Sequence, residues 1–237
     1  MRKKSPSQLR SAHSFLNGPE RYCDGSVSSV LGDKETENRP LSPPRKGKVR
    51  RMIIRKATAK DLPGIIRIYD EIHTREETGE VTIGWVRGIY PTEKTAEESI
   101  QRGDMFVQVD KTGEIVGTGI INKTQVDAYA DGDWQYPAAD DEVMVLHTLI
   151  ISVRPGHRGS GKAFLDFYES FAKENGCPYL RLDTNARNAV ARAFYRKHGY
   201  DEIGIVPTVF NGIPGVDLVL LEKRLGDRGR RTVHCLQ

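Results

Sequence analysis

The sequence predicts an α/β protein with a mixed sheet covered by helices on both faces. Three observations lead there. A stretch from His147 to Tyr200 reads strand, Gly-rich turn, helix, strand, helix. Earlier in the chain, two short apolar runs flank Asp110-Lys111-Thr112-Gly113, a hairpin signal. No internal repeat interrupts this order. Hairpins first and strand–helix–strand later give a mixed rather than a purely parallel sheet.

The elements follow in order. Residues 1–51 are rich in Ser, Pro, Arg and Lys without sustained periodicity. They cannot bury enough apolar surface to offset their ordering entropy, so a disordered basic extension is expected. Met52 opens the domain, expected over 52–225, with a short apolar strand at Met52–Arg55. Translation starting at Met52 is an alternative to a tail. Asp61 suits the cap of the next helix and Pro63 its first turn, and Ile65, Ile66, Tyr69 and Ile72 recur at helical spacing. Thr95–Gln101 predicts a short second helix, and Met105–Val109 and Ile115–Ile121 the hairpin strands. A polar, aromatic-containing loop covers Tyr129–Tyr136, and Val143–Val153 is apolar on both faces, as a central strand should be. Ala163, Phe164, Phe167 and Phe171 mark one helix face, Tyr179–Leu182 a strand, and Ala189–His198 a helix stopped by Gly199. Val216–Leu221 predicts the last strand, before a frayed polar tail over 226–237.

Composition narrows the function. Residues 1–51 carry 12 basic and 5 acidic side chains and residues 226–237 carry 3 and 1, which leaves 21 basic against 26 acidic between them. A nucleic-acid-binding domain would carry its positive charge on the folded body, so specific nucleic-acid binding is not expected. No run approaches the ~18 consecutive apolar residues of a membrane span. Cys23, Cys177 and Cys235 are odd in number and far apart. That spacing gives neither a metal site nor a disulfide framework, and a reducing cytoplasm is the expected setting.

The glycine turn carries the chemistry. A turn between a buried strand and a helix brings unpaired N–H groups and the positive helix end together, and both favour an anion. Gly159 and Gly161 let a backbone approach closely, while Arg158 and Lys162 add charge. Gly156 to Ala163 also reads G-x-x-x-x-G-K-A, one residue from a nucleotide P-loop, with Asp183 mimicking the downstream acidic partner. Ala163 lacks the hydroxyl that motif places on Mg²⁺. A dinucleotide fingerprint fails too, because Phe164 stands where its third glycine belongs.

The turn and the helix after it resemble the GNAT superfamily, the Gcn5-related N-acetyltransferases, over roughly Met52–Leu225. The family's Q/R-x-x-G-x-G/A turn fits in two registers: Arg158-x-x-Gly161-x-Ala163, or Gly156-x-x-Gly159-x-Gly161. The second is preferred. It starts the helix's apolar face at Phe164 and Leu165 and aligns His147-Thr-Leu-Ile-Ile with the H-x-L-x-V strand of serotonin-acetyltransferase-like members. The other half of the resemblance is N-x-x-A-x-x-F-Y-x-x-x-G-Y: Asn188, Ala191, Phe194, Tyr195, Gly199 and Tyr200.

The resemblance implies the acyl-coenzyme-A N-acyltransferase fold, a central, mostly antiparallel mixed sheet flanked by helices. It implies acetyl-coenzyme A as co-substrate, no metal, and transfer of acetyl to a primary amine by direct attack. The donor is expected along Leu149 and Ile151, its diphosphate on the backbone of His157, Arg158, Gly159, Ser160, Gly161 and Lys162, with Asn188 in contact. Tyr195 is implied as the acid that protonates the leaving thiolate. A lysine-like amine leaves only about one molecule in 2,500 neutral at pH 7, so a base helps. His147, kept neutral by burial, is one candidate, and Glu142 near the start of the same strand is the other. Plainer roles compete: Tyr195 as core aromatic, His147 as core histidine, Asn188 as helix cap. The acceptor, a small molecule or a protein amine, is expected among the first helix, Gly84–Tyr90, Tyr129–Tyr136 and Phe210–Val216. A homodimer is compatible with all of this. A silent acyl-coenzyme-A sensor and a P-loop-like nucleotide-binding protein are the rival functions.

Overall fold

The computed structural model describes residues 52–226 except 153, 155 and 156. The expected extension over 1–51, Gly156 of the preferred register, and the tail beyond Gly226 lie outside them. Strand β1 (Ile53–Lys56) is followed by helices α1 (Leu62–Glu77) and α2 (Glu93–Arg102), then the hairpin β2 (Met105–Val109) and β3 (Ile115–Asn122). A long connection leads to β4 (Val143–Ile151), helix α3 (Ser160–Glu174), β5 (Tyr179–Asn185), helix α4 (Ala189–Lys197), and the hairpin β6 (Asp201–Phe210) and β7 (Ile213–Arg224).

The seven strands form one sheet in the order β1-β2-β3-β4-β5-β7-β6. Only β4 and β5 pair in parallel, and every other neighbour is antiparallel. This is the mixed, mostly antiparallel sheet expected. Because α3 lies between β4 and β5 in sequence, it acts as the crossover that a parallel pair requires. Its apolar stripe, Phe164, Leu165 and Tyr168, is buried on one face with Phe106 and Leu146. On the other face α1 buries Ile65, Ile68, Tyr69 and Ile72 against Met105, Val107 and Ile120.

Helix starts and stops obey local chemistry. Thr92 caps α2 by accepting the Thr95 N–H, and Gly103 ends it at φ 73°. Gly119 is glycine for space: an added Cβ would lie 2.9 Å from the Phe164 ring. Substitution there would push α3 off the sheet.

Three strands depart most from expectation. The first, β5, runs past Leu182 to Asn185. Strand β6 was not foreseen, and β7 is longer at both ends than Val216–Leu221. Pro207 and Gly204 weaken the strand signal in β6. Both are tolerated because β6 is the sheet edge, where a missing N–H costs no ladder bond. The overlooked cue was Asn211-Gly212, both at positive φ (51° and 81°), a two-residue turn that matches strand twist.

Candidate active site

A break in the middle of the sheet creates the site. Strand β4 pairs with β3 up to Ile120–His147 and resumes at Thr118–Ile150. Gly119 therefore faces two residues, Thr148 and Leu149, and the strand bulges. Thr148 takes φ 52°, a costly region for a β-branched residue, and its hydroxyl is hydrogen-bonded to the Tyr90 hydroxyl. Pairing of β4 with β5 ends at Leu146–Leu182, whereas β5 continues to Asn185 against β7 alone. The two parallel strands splay, and a cavity of about 640 Å³ opens between them.

The cavity collects several expected residues. His147, Leu149, Asn188 and Tyr195 all line it, but Ile151 does not: it packs against the core under α3. Tyr195 lies on α4 with its ring edge-on to Phe194 and Tyr200. Among the described residues its hydroxyl has no hydrogen-bond partner. Burial, with the Asp183 carboxyl nearby, pushes its pKa well above the usual phenol value. The group stays protonated at neutral pH. Asn188 caps α4, its Oδ1 accepting the Ala191 N–H at 3.1 Å. Its amide nitrogen is left over for the cavity, so a capping role and a binding role coexist.

His147 belongs to a polar chain. The Asn122 amide nitrogen donates to Asp104 (2.9 Å) and its oxygen accepts from the Thr124 N–H (2.9 Å), which fixes the amide's orientation. The same oxygen lies 3.1 Å from His147 Nε2, so Nε2 carries the proton and Nδ1 the lone pair. Burial lowers the pKa of His147 to about 4, partly offset by the Thr124 backbone and the Asp104 carboxylate. The ring is neutral across ordinary pH.

Glu142 is not brought to this place. It is exposed in a short 3-10 turn before β4, where its carboxylate accepts the Ala139 N–H at 3.1 Å. The β4 ladder starts one residue later and turns Glu142 into a local cap.

The glycine turn enters α3 directly. Gly159 takes φ 91° at the helix cap, and the helix begins at Ser160. Ser160 N–H donates to His157 and Ala163 N–H to Gly159. Between them, the Gly161 and Lys162 N–H groups have no acceptor among the described residues, as a helix's first turn leaves them. Gly161 packs near Phe194 of α4, so the helix end adjoins the wall that carries Tyr195. Arg158 is exposed, whereas Lys162 pairs with Asp166 at 2.6 Å and the His157 ring lies 3.8 Å from Asp110. This turn therefore offers an anion backbone amides more than side-chain charge.

These features together match a known pattern. The model of the acetyltransferase (GNAT) family matches residues 65–200. The chain belongs to the GNAT acetyltransferase family. Protein YdhI of Bacillus subtilis (strain 168), described as uncharacterized, is 33% identical over 104 residues, 44% of this chain and 54% of YdhI. The chain thus spans about half the length of that curated relative. Among solved structures, a GNAT acetyltransferase from Streptococcus agalactiae superposes with TM-score 0.62 at 21% identity, covering 74% of this chain and 96% of that one. Another from Listeria monocytogenes gives 0.56 at 24%, covering 73% and 95%. A ribosomal-protein-alanine N-acetyltransferase from Brucella melitensis gives 0.54 at 18%, covering 73% and 99%. At these identities the likeness is one of fold.

Asn122 and Asp183 line the cavity without being expected there. Asp183, noted in the sequence only as a P-loop mimic, lines the gap on β5. The signal was a carboxylate directly after the expected strand Tyr179–Leu182. The expected acceptor segments fare unevenly. Gly84, Tyr90, Phe210, Ile213 and Val216 line the cavity, as does α2 through Glu98 and Arg102. The Tyr129–Tyr136 loop and α1 do not. Among the described residues no helix is long and apolar enough to cross a membrane, and no cluster of His, Cys, Asp and Glu has metal-site geometry.

Proposed function

We propose that this GNAT-family chain is an acetyl-coenzyme-A-dependent N-acetyltransferase that passes acetyl directly to a primary amine with both partners held at once. The observation that carries this is the splayed β4–β5 gap, with a protonated phenol in one wall and the amide-rich end of α3 beside it. Acetyl-coenzyme A supplies an already activated acyl group, so no covalent nucleophile is needed. The amides of Gly161 and Lys162, with the backbone of residues 157–160, suit its diphosphate. The backbone of Leu149 suits its extended arm and the Asn188 amide nitrogen its polar groups. The bulge at Thr148 and Leu149 frees backbone donors that can face the acyl oxygen as negative charge builds on it.

The protons balance as follows. His147 Nδ1 accepts a proton from the acceptor nitrogen, and Tyr195 lends its proton to sulfur as the carbon–sulfur bond breaks. The acceptor enters as its ammonium ion: one proton passes to His147, a second leaves the nitrogen after attack and restores Tyr195, and the third stays on the amide product. A histidine with a pKa of about 4 is a weak base, so its proton passes on to solvent rather than residing there. The spacing of the three cysteines supports a reducing, cytoplasmic setting.

Thermal denaturation with acetyl-coenzyme A and separately with Mg-ATP tests the donor. At about 100 times Kd a true ligand stabilises by about 2.7 kcal/mol, a shift of several degrees. Stabilisation by Mg-ATP alone would end this proposal in favour of a nucleotide-binding protein. Tight acetyl-coenzyme A binding with no thiol release from any of a broad set of polyamines, aminoglycosides, arylalkylamines and peptides would favour a silent sensor.

A further inference from the structure

Asp183 is a carboxylate in need of a cation. It is half-buried and opens onto the cavity, and the Tyr129 hydroxyl donates to its Oδ2 at 2.8 Å. Four titratable groups face it or its end of the gap: Tyr129 from the β3–β4 connection, Tyr195 from α4, Tyr90 from the segment before α2, and His147 across the gap on β4. None is a cation at neutral pH. The basic side chain among the cavity's described lining, Arg102, is paired with Asp104 at 2.9 Å. Asp183 forms no ion pair among the described residues, and burial raises its pKa to about 6. An enclosed carboxylate without a counter-charge is costly unless a partner arrives from outside.

The surrounding wall indicates what kind of partner. Trp85 and Tyr90 meet edge to face at 5.8 Å, and Tyr90 and Phe210 at 6.4 Å. Ile213, Val216 and Leu218 continue the apolar surface to β5's neighbour β7. Aromatic faces attract an organic cation and apolar walls take its body.

We propose that Asp183 anchors the acceptor, holding the incoming amine as its ammonium ion, and that the acceptor is a monoamine on an apolar body. This rests on the N-acetyltransferase proposal, because it names that reaction's acceptor. Asp183 binds the cation, and the proton still leaves through His147.

Calorimetry on the full chain tests the anchor, with 2-phenylethylamine as probe and 2-phenylethanol as its uncharged counterpart, with and without coenzyme A at pH 8. Acetyl-coenzyme A affinity is measured in parallel. Wild type should bind the amine at least about tenfold more tightly than Asp183→Asn, with the alcohol and the donor indifferent to the change. Equal amine affinity in the two proteins, or equal affinity of wild type for amine and alcohol, overturns the anchor. So does absence of amine binding to wild type. If wild type ignores acetyl-coenzyme A, the transferase proposal falls, while the arm without coenzyme still judges the anchor. A second readout covers misfolding of the variant. In wild type, amine affinity should rise as pH climbs from 5 to 8, because the carboxylate ionises there while the amine stays charged and His147 stays neutral. A flat profile would sink the idea.

Discussion

The two ends of the cavity are built from different kinds of sequence. The proposed donor end uses neighbours: a strand, its bulge, a glycine turn and the helix that follows, with Asn188 and Tyr195 on the next helix but one strand on. The proposed acceptor end gathers Trp85, Asn122, His147, Asp183 and Phe210, which come from five separate segments and meet only because the sheet folds them together. Backbone amides suffice to hold a phosphate, and a local turn can present them. Recognising an amine takes a charge, a lone pair and an apolar wall, which no single segment supplies here.

Four measurements sharpen or break that contrast. The largest effect belongs to the junction. Tyr195→Phe should lower kcat by about 100-fold or more while acetyl-coenzyme A affinity holds, since general-acid catalysis contributes on that scale. Unchanged kcat would remove Tyr195 from the chemistry. On the acceptor side, His147→Gln should lower kcat by about 100-fold or somewhat less at pH 7 with the donor KM unmoved. A change confined to the donor KM would move His147 to the other end.

Stability offers the third. The pKa of Asp183 in the folded chain, about 6, is raised above the ordinary 3.8. The proton's stabilising contribution is complete below the lower value and lost as pH rises through the higher one. Asp183→Asn cannot ionise, so it should be more stable than wild type by about 3 kcal/mol at pH 8 and equal to it near pH 3.5 in urea unfolding. A variant less stable at pH 8 would mean that its hydrogen bond with Tyr129 outweighs the cost of the charge. His147 runs the opposite way. Its folded pKa of about 4 lies below the ordinary 6.5, so its contribution is complete above that value and lost as pH falls through about 4. The smallest effect is at the donor turn. Gly159→Ala forces a side chain into φ 91°, at about 1 kcal/mol, and should raise the donor KM by about fivefold with kcat and amine binding untouched.

The same contrast explains what could be read in advance. Capping, periodicity and turn chemistry act over a few residues, so α1, α3, α4 and the β2–β3 hairpin were legible in one dimension. The edge strand β6 was hidden because Pro207 and Gly204 are unfavourable in a strand at large, and only an edge position forgives them. Glu142 resembled a candidate base by its position in sequence, yet the onset of β4 ladder pairing leaves it outside the cavity. Asp183 looked like the end of a strand, and its importance depends on a gap that no run of letters records.

The letters alone determined the family, the glycine turn, the Asn188–Tyr195 helix and the kinds of element around them, because each depends on interactions between near neighbours. Tertiary structure decided which carboxylates face the cavity, which histidine nitrogen holds the lone pair, and which walls are apolar. Those depend on where the β4 ladder slips at Gly119 and where β5 parts from it, and a register is set by contacts between strands far apart in the chain.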